Sequence, residues 1–127
     1  MLPTCLFCKK EKQKIVYASE LFFVVRDSYP VTKHHTLIIP HRHISNFFDL
    51  NEDELIDLNK ILKKQRKSLM VLDKDISAFN IGVNVGEDAG QSIMHCHIHL
   101  IPRRKGDIEN PRGGVRGVIP SKQKYIK

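Results

Sequence analysis

From His95 to Leu100 the chain alternates strictly, His95-Cys96-His97-Ile98-His99-Leu100, inside an apolar run that closes at Pro102. A strand sends successive side chains to opposite faces, so a period of two puts three imidazoles on one face. Cys96, Ile98 and Leu100 then share the other face and require a core to bury them. This pattern predicts a strand over about residues 93–101, set inside a sheet. Three imidazoles side by side offer a nucleophile, a proton carrier or metal ligands near neutral pH. The bland alternative is a polar strand face turned to solvent.

The rest of the chain supplies partners for that strand. Ile15–Ala18 and Leu21–Arg26 are rich in Val, Ile, Phe and Tyr and read as paired strands. Asp27-Ser28-Tyr29-Pro30 carries turn chemistry, and Thr36–Ile39 is a short buried strand stopped by Pro40. Asn51, with Glu54 three residues on, marks a helix start. Leu55, Leu58, Leu62, Leu69 and Leu72 then recur at helical spacing, which predicts a helix over about residues 51–72. Phe79–Val85 reads as another strand, followed by the glycine-bearing loop from Gly86 to Gly90. Strands, one helix, then strands indicate an α+β domain, an antiparallel sheet with the helix on one face.

Composition narrows the function class. The 127 residues suit one domain: a core over 1–102 with the N-terminal Cys5-x-x-Cys8, and a basic, extended, irregular tail over 103–127. No apolar stretch approaches the roughly 18–20 residues of a membrane span, so no membrane partner is expected. The first residues lack the charged and apolar regions of a secretory signal. Three cysteines do not make a disulfide framework, and a reducing cytoplasm fits them better. The net charge of +7 is concentrated in the tail, where eight basic side chains face only Asp107 and Glu109.

All seven histidines lie in two segments, 34–43 and 95–99. If Thr36–Ile39 pairs near the histidine strand, both clusters converge on one site. His34 and His41 read as surface or satisfied core residues. Cys5-Leu6-Phe7-Cys8 is by itself half a zinc site, a redox pair or two incidental thiols.

The run Gly90-Gln91-Ser92-Ile93-Met94-His95-Cys96-His97-Ile98-His99-Leu100-Ile101-Pro102-Arg103 resembles the signature of the histidine-triad (HIT) family. Asp27 through Thr32, then His35-Thr36-Leu37-Ile38-Ile39-Pro40 and His43, follow the family's order, and the resemblance spans about residues 5–107. One departure is His34, where the family often has glycine, and only a small effect on the turn is expected. The resemblance implies a nucleotidyl hydrolase or transferase in which His97 attacks the α-phosphorus. His99 would donate to a phosphate oxygen or protonate the leaving group, with His95 and His35 completing the catalytic group. Asp27 would accept from ribose hydroxyls, Asn84 would lie near ribose or phosphate, and Gln91 and Ser92 would contact phosphate. The chemistry agrees, since a neutral imidazole is a competent nucleophile and a phosphorus–nitrogen intermediate divides one hard displacement into two.

Some family members and the related galactose-1-phosphate uridylyltransferases bind structural zinc. The matching residues here are Cys5, Cys8, His43 and His95, and zinc would turn His95 into a strut. The continuation Pro102-Arg103-Arg104-Lys105-Gly106-Asp107 is similar to that of dinucleoside polyphosphate hydrolases of the fragile-histidine-triad type, with Arg103 and Arg104 as clamps for distal phosphates. Arg112-Gly113-Gly114-Val115-Arg116-Gly117 is similar to arginine–glycine nucleic-acid segments but is short and lacks aromatics, so nucleic acid is not expected as a partner. The leading expectation is a homodimeric hydrolase of dinucleoside polyphosphates, paired through the helix and a shared sheet. A purine nucleoside phosphoramidase of the same fold and a non-catalytic nucleotide- or RNA-binding adaptor are the alternatives.

Overall fold

A computed structural model describes residues 4–125; residues 1–3 of the expected core and 126–127 of the expected tail lie outside the described residues. Five strands form one antiparallel sheet: β1 (Ile15–Ala18), β2 (Phe22–Arg26), β3 (Thr36–Pro40), β4 (Ile76–Val83) and β5 (Ile98–Arg104). Their spatial order is β1-β2-β3-β5-β4, and one long helix, α1 (Glu52–Leu72), packs on one face. This is the α+β arrangement expected.

The buried runs Phe22-Phe23-Val24-Val25 and Leu37-Ile38-Ile39 do not alternate with polar residues, so both faces of β2 and β3 need cover. Leu58 and Ile61 of α1 pack against Phe22, Val24, Ile38 and Ile98 on one face. Phe7, from a short 3-10 turn over Leu6–Cys8, packs against Phe23, Val25, Leu37 and Ile39 on the other. The N-terminal turn is therefore part of the core.

Helix α1 starts where Asn51 and Glu54 place it. The Asn51 side chain accepts from the Glu54 N–H and the Glu54 carboxylate accepts from the Asn51 N–H, both at 2.9 Å. The buried stripe is Glu54, Leu58, Ile61, Gln65 and Leu69, whereas Leu55 and Leu72 are exposed. The leucine periodicity was thus two positions too generous. Two polar residues enter the stripe because each has a partner: Glu54 pairs with Arg42 at 2.7 Å, and Gln65 accepts from Arg26 at 2.9 Å.

Strand β5 is shifted from the expected 93–101. It begins at Ile98, because only there does pairing with β3 start, with Ile38 opposite Ile98 and Leu37 opposite His99. The preceding segment stays alternating but is held differently, Cys96 donating its N–H to the Ile44 carbonyl at 2.6 Å. Beyond Leu100 the β3 ladder stops, while pairing with β4 continues to Arg104. Pro102 is tolerated there because the side on which β3 has ended asks no N–H of it.

The tail is also not the extended segment expected. Arg103 and Arg104 belong to β5, and the chain then winds into 3-10 turns at Gly114–Val118 and Pro120–Lys122, the first of which packs on β4. Its contacts are polar and glycine-dependent, which apolar periodicity does not report.

Candidate active site

Pairing of β3 with β5 brings the two histidine segments together. His35, just before β3, lies with its Nε2 2.9 Å from Nδ1 of His99. The Val31 N–H donates to His35 Nδ1 at 3.1 Å, so His35 carries its proton on Nε2 and donates to His99. His99 then holds its own proton on Nε2. Asp27 stands 3.5 Å from His35 Nε2, its carboxylate fixed by the Tyr29 N–H at 2.9 Å. Burial, with His97 and His35 nearby, pushes His99 down to about 4. Burial also lowers His35, partly opposed by Asp27. Both imidazoles are neutral at pH 7.

His97 sits beside His99, ring centroids 5.3 Å apart, and is 9% exposed. Its Nδ1 is 2.8 Å from the His95 carbonyl. A carbonyl only accepts, so His97 is protonated on Nδ1 and presents the lone pair on Nε2, the form a nucleophile requires. Phe7 packs edge-on against this ring at 5.1 Å. That contact was not anticipated; the apolar residue between two cysteines was its only signal.

His95 has a different role. It is fully buried, and its Nε2 donates to the Pro40 carbonyl at 2.8 Å, leaving Nδ1 with a lone pair. That nitrogen lies 3.2 Å from His43 Nδ1, 3.4 Å from Cys5 Sγ and 3.6 Å from Cys8 Sγ, and His43 Nδ1 lies 3.2 Å from Cys8 Sγ. Tetrahedral zinc with bonds of about 2.0 Å to nitrogen and 2.3 Å to sulfur has nitrogen–nitrogen and nitrogen–sulfur edges of roughly 3.3–3.6 Å. The four residues fit that ion in donor type and spacing.

The remaining expected residues divide. Asn84 lines a cleft of about 730 Å³ together with His35, His99 and Arg103. Ser92 is exposed at the start of the histidine segment. Gln91 is buried and spends its amide on the backbone: its oxygen accepts from the Gly86 N–H at 2.9 Å, and its nitrogen donates to the carbonyls of Ser45 (2.8 Å) and Ile93 (3.2 Å). It braces the glycine loop through these three backbone partners. Arg103 and Arg104 both have partners within the chain. All three Arg103 nitrogens donate at 2.8 Å, two to Asp107 and one to Asn80. Arg104 pairs with Asp73 at 2.8 Å and donates to the Lys33 carbonyl. His41 stacks on Phe23 and donates from Nε2 to the Ser19 carbonyl at 2.9 Å, whereas its buried Nδ1 has no hydrogen-bond partner among the described residues, so it is only half the satisfied core histidine expected. His34 adopts φ +74°, a left-handed turn that suits the glycine usual at that position.

The HIT domain matches residues 9–106. An uncharacterised HIT-like protein of Methanocaldococcus jannaschii is 38% identical over 109 residues, covering 83% of each chain. The asymmetrical bis(5'-nucleosyl)-tetraphosphatase of Schizosaccharomyces pombe is 38% identical over 96 residues, covering 74% of this chain and 51% of that enzyme. Among solved structures, a zinc-bound histidine triad family protein from Mycobacterium smegmatis superposes with a TM-score of 0.75 at 27% identity, covering 84% of this chain and 80% of that one. With the domain matched across most of its length and the histidine strand seated as described, the chain belongs to the HIT domain family.

Proposed function

We propose that the protein is a nucleotidyl hydrolase that cleaves dinucleoside polyphosphates at the α-phosphate through a covalent nucleotidyl-histidine. The observation that carries this reading is the fixed proton pattern: a lone pair on His97 Nε2 beside an N–H on His99 Nε2. His97 Nε2 attacks the α-phosphorus, the phosphorus–nitrogen bond forms, and the bond to the leaving phosphate breaks with its electron pair departing on oxygen. Water then attacks phosphorus, the phosphorus–nitrogen bond breaks back to imidazole, and a nucleoside monophosphate leaves. Neutral His99 donates to a phosphoryl oxygen, where charge must be held during both displacements. Asp27 accepts from ribose hydroxyls, with Asn84 and Ser92 as further donors. The relationship to the fission yeast tetraphosphatase supports the substrate class.

One observation favours the phosphoramidase alternative: Arg103 is committed to Asp107 and Asn80, so it offers no free charge to distal phosphates. Turnover of diadenosine tetraphosphate compared with adenosine phosphoramidate decides between them. An alkaline quench during turnover, followed by mass spectrometry, tests the intermediate; a nucleotidyl adduct confined to the peptide bearing His97 is expected.

Zinc would be held by Cys5, Cys8, His43 and His95 and would act structurally, because four protein ligands complete its shell. Thiols free for such a site suit a reducing cytoplasm. Among the described residues no helix is long and apolar enough to cross a membrane. A homodimer through α1 and the edge strand β4, whose Ile81 is 52% exposed, completes the reading. Sedimentation at micromolar concentration tests it.

A further inference from the structure

The segment Arg112–Gly117, with the turns that follow it, is a built unit. Tyr125 lies under two guanidinium groups, Arg112 at 5.2 Å and Arg116 at 5.0 Å. Arg116 donates to the carbonyls of Lys122 and Gln123, and the Gln123 amide donates to the Arg112 carbonyl. Gly113 has φ +87°, and a Cβ there would collide with the Gln123 carbonyl. The tail is thus closed on itself: Arg112 and Arg116 are exposed, but both stack on Tyr125 and Arg116 spends donors on the tail's own carbonyls.

The unit is also docked. Gly114 sits against the Asn80 amide on β4, close enough that a Cβ would stand 3.3 Å from Nδ2. Asn80 in turn accepts from Arg103, and Asp107 ties Arg103 to the start of the tail. Between this post and the sheet lies the 730 Å³ cleft that opens at His99 and Asn84. His99, Ile101 and Arg103 share one face of β5 and all line the cleft, so it runs from His99 along about 13 Å of strand. Its tail side is lined by Ile108, Val115 and Val118. Among the described lining residues Arg103 is the one side chain with a full positive charge, and it is paired.

Resting on the reading that His97 receives the α-phosphoryl group, we infer that the folded tail is the wall of a leaving-group subsite that recognises the distal nucleoside by apolar contact with its base. A distal phosphate would find no free cation there, whereas an aromatic base matches an apolar wall. The tail thereby favours leaving groups that carry a second base over phosphate alone or ammonia.

Gly113→Val tests this, since it opens the tail without altering a cleft residue. Calorimetry would use AMP and a methylene-bridged diadenosine tetraphosphate that cannot be cleaved. The unaltered chain is expected to bind the diadenosine analogue more tightly than AMP. Gly113→Val should weaken the analogue by about tenfold or more while AMP changes by less than about twofold. The ratio of the two affinities should also fall in Val115→Asp, which keeps the test alive if Gly113→Val fails to fold. Equal weakening of both ligands, or of neither, overturns the inference, as does an analogue that binds no better than AMP. If the unaltered chain binds both but releases no AMP from cleavable diadenosine tetraphosphate, the catalytic reading fails while the affinity ratio still decides the subsite.

Discussion

His35 Nε2 and His99 Nδ1 stand 2.9 Å apart although 64 residues separate them in the chain. The contact is geometric in origin: β3 and β5 are neighbours, and His35 lies one residue before the position paired with Leu100. It sets the tautomer of His99, because a ring nitrogen that accepts cannot also hold the proton. The N–H on His99 Nε2 is thus decided by a residue at the entry to the neighbouring strand.

Replacing His97 with alanine should lower nucleotide turnover by at least about 10³-fold while AMP affinity changes only a few-fold, since the side chain acts in the transition state. Steady-state kinetics and calorimetry on the same preparation check this; turnover near normal would remove His97 from the nucleophile role.

Burial holds His99 at about 4 in the folded protein against about 6.5 unfolded. Between those values the unfolded chain binds more protons, so stability falls as pH falls. The contribution of His99 is complete above about pH 6.5 and lost progressively down to about pH 4. Denaturant midpoints taken across that window should drop, and His99→Asn should flatten the slope.

Metal analysis of the purified protein is expected to find about one zinc per chain, lost in Cys5→Ser. Chelation should lower the melting temperature of the unaltered protein and leave that of Cys5→Ser unmoved. Equal metal content in both proteins would contradict the four-ligand site.

Gln91→Ala should destabilise the fold by about 1–3 kcal/mol, because the Gly86 N–H and the carbonyls of Ser45 and Ile93 lose a buried partner. Equilibrium unfolding in urea measures it. An unchanged midpoint would return Gln91 to the role of a phosphate donor.

Much of the site was legible because it is local. The alternation at 95–99 fixes which side chains share a face, and Asn51 with Glu54 marks the helix start within a few residues. Less legible were features whose meaning lies in a partner. Arg103 and Gln91 have side chains suited to phosphate, yet Asp107, Asn80 and three backbone groups claim them first. Leu55 and Leu72 keep helical spacing but face solvent, since Glu54 and Gln65 found polar partners inside. For Phe7 the only mark was an apolar side chain between two cysteines, which does not tell that it packs on His97.

Local sequence, through the period of strands and helices and the chemistry of caps and turns, determined the elements and the residue types of the site. Tertiary structure alone decided their division of labour. The buried carbonyls of Pro40 and His95 assign a proton to His95 Nε2 and another to His97 Nδ1, leaving the first ring a lone pair on Nδ1 beside Cys5, Cys8 and His43 and the second a lone pair on Nε2. These imidazoles are chemically identical in the sequence, and they differ only through the acceptor each ring meets once the chain is folded.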